Sequence, residues 1–307
     1  MVIVNPNAGR QKGARDWEKI STLLRQYKID FGFAFTSYKE HAIELTKAYL
    51  EEGYKKFIVV GGDGTLNEVL NGIFRQDKIA TDQFLLAVIP IGSGNDWCRM
   101  FNVPNDYEEA IRLIKQESTF LQDVGLVSFF RNSVSESRYF INVAGVGYDA
   151  IVAFKTNKDK ERGKGGAWLY FKNLLTSLVS YKFTSTEITT SGDKDRIRTK
   201  MFSLSVGVCR YNGGGMKQLP HAIPDDGMLD LTLIKKLGKF SVLKEVKNLY
   251  DGSFINHPSV ETLVSDHFKI ISDPPVMLEA DGESLGFSPF TFDIIPRSIK
   301  VVIGRVE

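Results

Sequence analysis

The chain has 307 residues, of which 43% are hydrophobic and 25% charged, and its formal net charge is +2 at pH 7. This length favours one large or two medium domains, and the composition is that of an ordinary globular protein. The small net charge gives no support for nucleic-acid binding. Cys98 and Cys209 lie far apart without a metal-ligand neighbour, so we interpret both as buried thiols in a reducing compartment.

The sequence contains no recognisable signal peptide and no apolar stretch near the ~20 residues that would span a bilayer. We therefore expect a cytoplasmic protein, with peripheral contact to a membrane. The first apolar run, Val2–Val4, is very short for a strand. For that reason we expect a few further residues to precede Met1 in the natural protein.

Residues 1–123 alternate short apolar runs with amphipathic stretches. Unbroken apolar runs are typical of strands buried on both faces of a parallel sheet, and apolar positions three and four apart indicate helices. The alternation predicts an N-terminal doubly wound, Rossmann-like α/β domain that binds ATP. Strands are predicted over residues 2–4, 31–36, 57–60 and 85–90, and helices over 17–27, 41–52, 66–74 and 107–115.

Residues 124–298 show a different pattern, in which β-like runs follow one another with turn residues between them. This pattern predicts a C-terminal antiparallel β-sandwich domain, interrupted by helices around 166–181 and 241–250. The last strand, within residues 299–307, can close this domain or return to the first one. The other strands are predicted over residues 138–143, 184–190, 200–209, 228–234, 267–272, 276–279 and 290–295.

The sharpest motif is GGDGTLNE at residues 61–68, between a predicted buried strand and a helix. Its glycines allow a tight turn and close approach to a ligand, and free amides at a helix N-terminus favour an anion. Thr65 can cap the helix or donate to a phosphate oxygen. The motif is neither a Walker A loop nor the dinucleotide fingerprint, and a plain Asp-Gly turn is the simpler alternative.

A second motif, PIGSGND at residues 90–96, follows the next buried strand. In a doubly wound sheet the loops after neighbouring strands converge on one crevice, so both motifs can hold one polyphosphate. Ser93 and Asn95 offer neutral donors, and Asp96 can order the site or a metal-bound water.

A third strand-to-loop segment is NPNAGR at residues 5–10. Asn5 could hydrogen-bond adenine or phosphate, and Arg10 could neutralise phosphate charge. Thr36 would lie beside this loop at the end of the second strand. An Asn-Pro turn without a ligand explains the segment equally well.

Together these motifs resemble the diacylglycerol kinase catalytic-domain family, which includes bacterial lipid kinases, sphingosine kinases and ceramide kinases. The resemblance covers nearly the whole chain. NAD kinases and phosphofructokinases share the GGDGT loop, whereas the GSGND loop favours lipid kinases. The resemblance implies ATP and Mg²⁺ as cofactors. The residues predicted to bind the nucleotide are Asn5, Arg10, Thr36, Gly61, Gly62, Asp63, Gly64, Thr65, Asn67, Glu68, Gly92, Ser93 and Asn95.

The segment LPHAIPDDGMLD at residues 219–230 matches the metal loop of bacterial members. The resemblance implies that Asp226 binds Mg²⁺ through its carboxylate, and that Ile223 and Met228 bind it through main-chain carbonyls, which are ligands that suit this ion. Asp96 and Asp123 would support the water network of the metal. Whether the ion is structural or catalytic stays open. The alternative for this segment is a plain turn before a strand, without a metal.

The segment EADGE at residues 279–283 places two carboxylates around a glycine. Such a pair suits proton removal from an alcohol, metal binding, or both. The resemblance points to Glu283 as the base and to Asp281 as its partner, and Asp63 is the third predicted catalytic acid. An Asp-Gly hairpin turn is the structural alternative.

The predicted function is that of an ATP-dependent lipid kinase, which transfers the γ-phosphate to a hydroxyl of a membrane lipid such as diacylglycerol. Its active site is expected in a cleft between the two domains. One alternative is an NAD kinase-like nucleotide kinase, against which the GSGND loop argues. Another is a non-catalytic nucleotide or lipid sensor, against which Asp63, Asp281 and Glu283 argue. The acceptor lipid and the oligomeric state are not readable from the sequence.

A basic segment precedes an aromatic-rich amphipathic helix, an arrangement that can dock on anionic headgroups. We therefore predict that anionic vesicles raise the activity and that salt lowers it. Activity that is unchanged across both variables would favour a solvated loop and a core helix instead. The cations of the segment are Lys155, Lys158, Lys160, Arg162 and Lys164.

Overall fold

The computed structural model describes residues 1–92, 94–161, 167–193 and 195–304. Ser93, Arg162 and Lys164, which the sequence analysis names, lie outside these ranges. The chain divides into two units: unit 1 comprises Met1–Val124 and Pro296–Glu307, and unit 2 comprises Gly125–Ile295. None of the helices in the described ranges combines the length and apolarity needed to cross a bilayer.

Fourteen strands and ten α-helices are assigned within the described ranges. The strands are β1 Val2–Val4, β2 Phe33–Phe35, β3 Lys56–Gly61, β4 Leu85–Pro90, β5 Thr119–Arg131, β6 Val134–Phe140, β7 Val143–Gly147, β8 Thr184–Thr190, β9 Arg196–Gly207, β10 Leu229–Lys235, β11 Val260–Ser265, β12 His267–Asp273, β13 Met277–Ala280 and β14 Glu283–Val302. The helices are α1 Ala8–Arg15, α2 Trp17–Gln26, α3 His41–Glu51, α4 Asp63–Phe74, α5 Asp96–Met100, α6 Tyr107–Gln116, α7 Tyr148–Glu161, α8 Ala167–Ser180, α9 Lys239–Glu245 and α10 Asn248–Asp251.

Unit 1 is built on a parallel sheet with the strand order β2–β1–β3–β4. The end of β14 adds a further parallel strand, in which Lys300 pairs with Leu85. Alternate residues of the buried strands face opposite sides of the sheet. Val2, Val4, Ile58 and other residues pack against α2 and α6, whereas Ile3 and Val59 are buried on the other face.

Unit 2 is β-rich and antiparallel. One path of paired strands runs β9–β7–β13–β14, and a second runs β9–β8–β12–β14, so that six strands form a closed ring. β10 and β11 extend the sheet from β9, and β5 pairs with β6 as a hairpin. Inward-facing residues of these strands alternate with exposed ones, as expected for a sheet with one face packed on a core.

Several helices of the structure differ from the sequence prediction, and the short helices α1 and α5 were not predicted. α4 begins at Asp63 rather than at residue 66, because Gly62 is extended and the chain turns directly from strand to helix. α7 was not predicted. It forms because Tyr148 and Val152 pack against Leu174 of α8 and Phe202 of β9, a tertiary contact that leaves little trace in local sequence.

A chain of hydrogen bonds joins two acids inside unit 2. The Gln218 amide donates to Asp149 over 3.2 Å, and the Asn212 amide donates to Gln218 over 3.2 Å and to Glu279 over 2.9 Å. The backbone amide of Gly282 donates to the second oxygen of Glu279 over 2.9 Å. Burial raises the pKa of Glu279 to about 8 and that of Asp149 to about 6. We call Asp149, Gln218, Asn212 and Glu279 the buried acid network.

The raised pKa of Glu279 predicts a pH-dependent stability. The folded protein keeps a proton that the unfolded chain releases, so the free energy of unfolding should fall as pH rises from about 4.5 to about 8. Glu279→Gln should therefore show a flatter dependence of Tm on pH in this range than the wild type. Glu109→Gln, at an exposed position of α6, serves as the control and should keep the wild-type slope. Equal slopes for Glu279→Gln and the wild type would contradict the prediction.

Candidate functional site

Two glycine loops touch at the carboxyl ends of β3 and β4. The backbone amide of Ile91 donates to the Gly61 carbonyl over 2.9 Å. A Cβ atom added to Gly92 would lie 2.8 Å from Gly62 Cα and 2.6 Å from Asn95 Oδ1. These distances are too short for a side chain, so the backbones approach each other only because both positions are glycine.

The first loop opens directly into α4. Gly62 precedes the helix in an extended conformation and, as a glycine, provides no side-chain cap. The hydroxyl of Thr65 instead accepts a hydrogen bond from the Asn5 amide over 3.0 Å. Because first-turn amides lack intrahelical acceptors and lie at the positive end of the helix dipole, this end of α4 can bind an anion.

The carboxylate of Asp63 joins the first loop to the second. It accepts hydrogen bonds from the backbone amides of Asp96 over 3.3 Å and Trp97 over 3.2 Å, at the start of α5. The Trp97 indole in turn donates to the buried Gln122 over 3.0 Å. Gln122 lies in no motif and was not predicted from the sequence. The catalytic role of Asp63 stays a prediction.

The third segment packs on the second loop. Gly9 has a left-handed backbone with φ +59°, and a Cβ atom there would lie 2.2 Å from the Ile91 carbonyl oxygen. Thr36 is buried, and its amide donates to the Val4 carbonyl over 2.9 Å, beside the start of this segment. Arg10 is exposed. The structure therefore brings the three predicted nucleotide-binding loops together within unit 1.

Asn67 and Glu68 have their side chains engaged within the protein. The two oxygens of Glu68 accept from the backbone amides of Glu40 over 2.9 Å and Ala42 over 3.2 Å, at the start of α3. Asn67 is fully buried, and its side-chain oxygen accepts from the Asn71 amide over 3.2 Å. These contacts stabilise α3 and α4, and the predicted contact of both residues with a nucleotide stays a prediction.

A polar cleft of about 560 Å³ lies beside the second loop. Asn95 borders it with a left-handed backbone and donates through its amide to the Gly92 carbonyl over 3.0 Å. Asn95 Oδ1 is buried without a hydrogen-bond partner in the described part of the chain. Lys12 and Arg99 also line the cleft. The two cations suit an anionic ligand, and the unused acceptor suits a hydrogen-bond donor on the same ligand.

Asp281 is bound to the backbone of unit 2. Its carboxylate accepts from the amides of Ile141 over 2.9 Å, Asn142 over 3.0 Å and Val143 over 3.2 Å. Both Asp281 and Gly282 have positive φ, at 49° and 84°. This is the conformation of a tight hairpin turn, here between β13 and β14, so three hydrogen bonds fix the turn in place.

Glu283 follows the turn as the first residue of β14 and is half-buried. Its backbone pairs with Ala280 of β13. The two acids that flank Gly282 therefore differ: the carboxylate of Asp281 is buried and accepts from three backbone amides, whereas Glu283 is half-buried. Glu279, in β13 two residues before Asp281, belongs to the buried acid network and was not predicted as a site residue.

The predicted metal loop lies at residues 223–228 of unit 2. Asp226 accepts from the Met228 amide over 3.0 Å, and Gly227 has a positive φ of 75°. Burial, with the nearby charge of Asp226, raises the pKa of Asp230 to about 6. No group of three His, Cys, Asp or Glu side chains in the described residues could hold a metal by itself. One carboxylate with backbone carbonyls is nevertheless an oxygen-only set, which fits a magnesium ion that keeps several waters.

Asp96 and Asp123, predicted to support the metal, are both buried in unit 1. Asp123 accepts from the backbone amide of Arg297 over 2.6 Å, which holds the returning end of β14. Asp96 lies in the first turn of α5, next to the helix cap that Asp63 provides. Their place in a metal-water network stays a prediction.

Comparison with known protein families gives two adjacent matches. Residues 1–127 match the family described as the diacylglycerol kinase catalytic domain. Residues 142–303, more than half of the chain, match the family described as the YegS C-terminal NAD kinase beta sandwich-like domain. The two matches follow the order in which the sequence analysis places the two domains.

Individual relatives agree with these matches over nearly the full length. A protein named diacylglycerol kinase from Staphylococcus carnosus (strain TM300) is 27% identical over 98% of this chain and 93% of its own. One of the same name from Staphylococcus aureus (strain MRSA252) is 29% identical over 98% and 90%. The crystal structure of a diacylglycerol kinase from Bacillus anthracis str. Sterne has the same fold, with a TM-score of 0.73 and 23% identity over 99% of this chain and 96% of that one. The chain therefore belongs to the diacylglycerol kinase-like family of lipid kinases, which are phosphotransferases.

Proposed function

We propose that the protein is an ATP- and Mg²⁺-dependent kinase that phosphorylates a hydroxyl of a membrane lipid such as diacylglycerol. Family membership supports the lipid-kinase class, and the names of the relatives support a diacylglycerol-type acceptor. The observation that carries the proposal is the contact between Gly62 and Gly92, which sets two amide-rich loops side by side. Such a pair of loops suits a polyphosphate.

Unit 1 holds the nucleotide in this proposal. The parallel strands β1, β3 and β4 end at one edge of the sheet, where a doubly wound, Rossmann-like domain binds its ligand. Amides of the loops at residues 61–65 and 91–95 hold the phosphates, while the Asn5 side chain keeps Thr65 oriented. The chemistry asks mainly for positioning and charge stabilisation, because the transition state of phosphoryl transfer is loose.

Unit 2 supplies the acceptor side. Glu283 accepts the proton of the lipid hydroxyl as the new oxygen–phosphorus bond forms and the bond between the γ-phosphorus and the bridging oxygen of ATP breaks, releasing ADP. Asp281 positions the turn through its three backbone hydrogen bonds and does not itself take the proton. Asp226 and the carbonyls of Ile223 and Met228 would hold Mg²⁺, which supplies positive charge or fixes the loop when bound.

The function is tested by single-turnover reactions with ATP labelled on its γ-phosphate. The acceptors are diacylglycerol, monoacylglycerol, phosphatidylglycerol, a sphingoid base and NAD. Label in a lipid is the expected result, and diacylglycerol is expected to accept it fastest. Label only in NAD would favour a nucleotide kinase, and label in no acceptor would favour a sensor. Either of the last two results contradicts the proposal.

Gly92→Ala should weaken the use of ATP. The added methyl group would clash with Gly62 Cα and Asn95 Oδ1 and displace one loop. A displacement of this size costs roughly a hundredfold in kcat/KM for ATP. Gly238→Ala is the matched control, because its Cβ would meet nothing closer than 3.9 Å. Wild-type kinetics in Gly92→Ala, with the fold intact by circular dichroism, would contradict the nucleotide site.

Glu283→Gln and Asp281→Asn should separate the two acids of the turn. Loss of a general base lowers kcat by roughly a hundredfold to ten-thousandfold, so Glu283→Gln should lose turnover while ATP affinity and Tm stay near wild type. Asp281→Asn should lower Tm, because a charged acceptor of three backbone amides is replaced and each such bond contributes about 1.5–3 kcal/mol. The reverse pattern, with Glu283→Gln unstable and Asp281→Asn merely inactive, would contradict these roles.

A further inference from the structure

The helical segment at residues 239–251, formed by α9 and α10, is apolar on two faces. Val242, Val246 and Leu249 are half-buried and line an apolar pocket of unit 2. Their spacing of four and three residues is that of one helix face. A helix packed on a core normally presents polar residues on its other face. This segment does so only in part.

Large apolar side chains point outward from the same segment. Phe240 is 84% exposed, Leu243 43% and Tyr250 53%. Val179, at the end of α8, is 72% exposed, and its carbonyl accepts a hydrogen bond from the Lys239 ammonium over 2.6 Å. This contact joins α8 to the start of α9. We call Val179, Phe240, Leu243 and Tyr250 the outer apolar face; such clustered exposure is typical of a surface that another body covers.

The charge around the outer apolar face is positive. Residues 235–251 contain five lysines and two acids, Glu245 and Asp251, and Lys235 is paired with Glu261 of β11 over 2.7 Å, so an excess of +2 remains. The four lysines at 236, 239, 244 and 247 are exposed. A covering partner should therefore be anionic. A second copy of the chain in a symmetric contact would set these lysines against each other, which disfavours self-association at this surface.

We propose that the outer face of residues 239–251 is the surface on which the protein docks to an anionic phospholipid bilayer, with the apolar side chains inserted and the lysines at the headgroups. The inference rests on the proposed lipid-kinase function. It specifies the surface through which the enzyme reaches its membrane substrate. It moves the membrane contact away from the basic segment at 155–164 that the sequence predicted. An aromatic and aliphatic face flanked by lysines is the pattern of interfacial helices.

The inner face of the segment forms one wall of the apolar pocket, which encloses about 60 Å³. This volume is too small for an acyl chain, so in the proposal the chains stay in the bilayer and meet only the outer apolar face. Asp149 and Gln218 line the pocket as polar groups, and the buried acid network runs from them to the amide of Gly282.

The test measures vesicle binding without ATP, so that it is independent of kinase activity. Wild-type protein should cosediment with vesicles of phosphatidylglycerol and phosphatidylcholine and far less with phosphatidylcholine alone. Phe240→Ser/Leu243→Ser and Lys244→Gln/Lys247→Gln should each bind the anionic vesicles roughly tenfold more weakly or worse, since one lysine near the surface contributes about 1 kcal/mol. Val134→Ser/Val264→Ser and Lys28→Gln/Lys47→Gln remove exposed side chains elsewhere and should bind like the wild type.

A tryptophan at the surface keeps the test valid if the double variants fold poorly. The emission of Phe240→Trp should shift to the blue on adding anionic vesicles and should be quenched by brominated acyl chains, whereas Val134→Trp should show neither change. Three results would each overturn the proposal. The emission of Phe240→Trp could stay unchanged, the control pairs could lose as much binding as the test pairs, or the wild type could form dimers that dissociate in Phe240→Ser/Leu243→Ser. Phosphorylation of diacylglycerol by a protein that fails these binding tests would overturn the docking surface and leave the kinase function standing.

Discussion

The close approach of two glycine backbones is the constraint on which the candidate nucleotide site depends. Gly62 and Gly92 stand where a single methyl group would meet backbone, and the amide of Ile91 bonds to Gly61 across the same gap. Because β3 and β4 are parallel neighbours in register, their loops leave the sheet at the same level. The carboxylate of Asp63 then ties the first loop to α5. A larger residue at either glycine position would push the two loops apart.

The acidic side chains discussed above have three different surroundings. Asp63, Glu68 and Asp281 accept hydrogen bonds from backbone amides and fix loops, turns and helix starts. Glu279 is buried, and its raised pKa keeps a proton on it near neutral pH. Glu283 follows the turn and is half-buried. The surroundings of each acid therefore differ although the chemical group is the same, and the role of Glu283 as the base stays a prediction.

Much of this could be predicted from the sequence, because the informative patterns are local. Unbroken apolar runs marked β3 and β4, and glycine spacing marked the loops that follow them. The Asp281–Gly282 turn illustrates why such predictions needed the structure: the segment is a hairpin turn, and the same turn is tied down by three amides from residues 141–143. The structure therefore shows the hairpin turn, and the catalytic role of Glu283 beside it stays a prediction.

The remainder depended on contacts between residues far apart in the chain. α5 is short and takes its cap from Asp63, more than thirty residues earlier, so no local signal announces it. Glu68 belongs to a nucleotide motif by sequence but caps α3 in the structure. The lysines at 239, 244 and 247 are unremarkable in sequence, and the structure distinguishes them by their place beside the exposed side chains of Phe240, Leu243 and Tyr250. Tertiary packing decides these cases, as it does for most short helices.

The most direct test of the account follows the amides of the two loops in solution. In protein labelled with ¹⁵N on glycine, the signals of Gly61, Gly62, Gly64, Gly92 and Gly94 should shift on adding ATP and should not respond to adenosine. Gly192 and Gly238, far from the loops in sequence, should stay in place with both ligands. Saturable binding of ATP that leaves the five loop signals unmoved would contradict the claim that these backbones grip the phosphates.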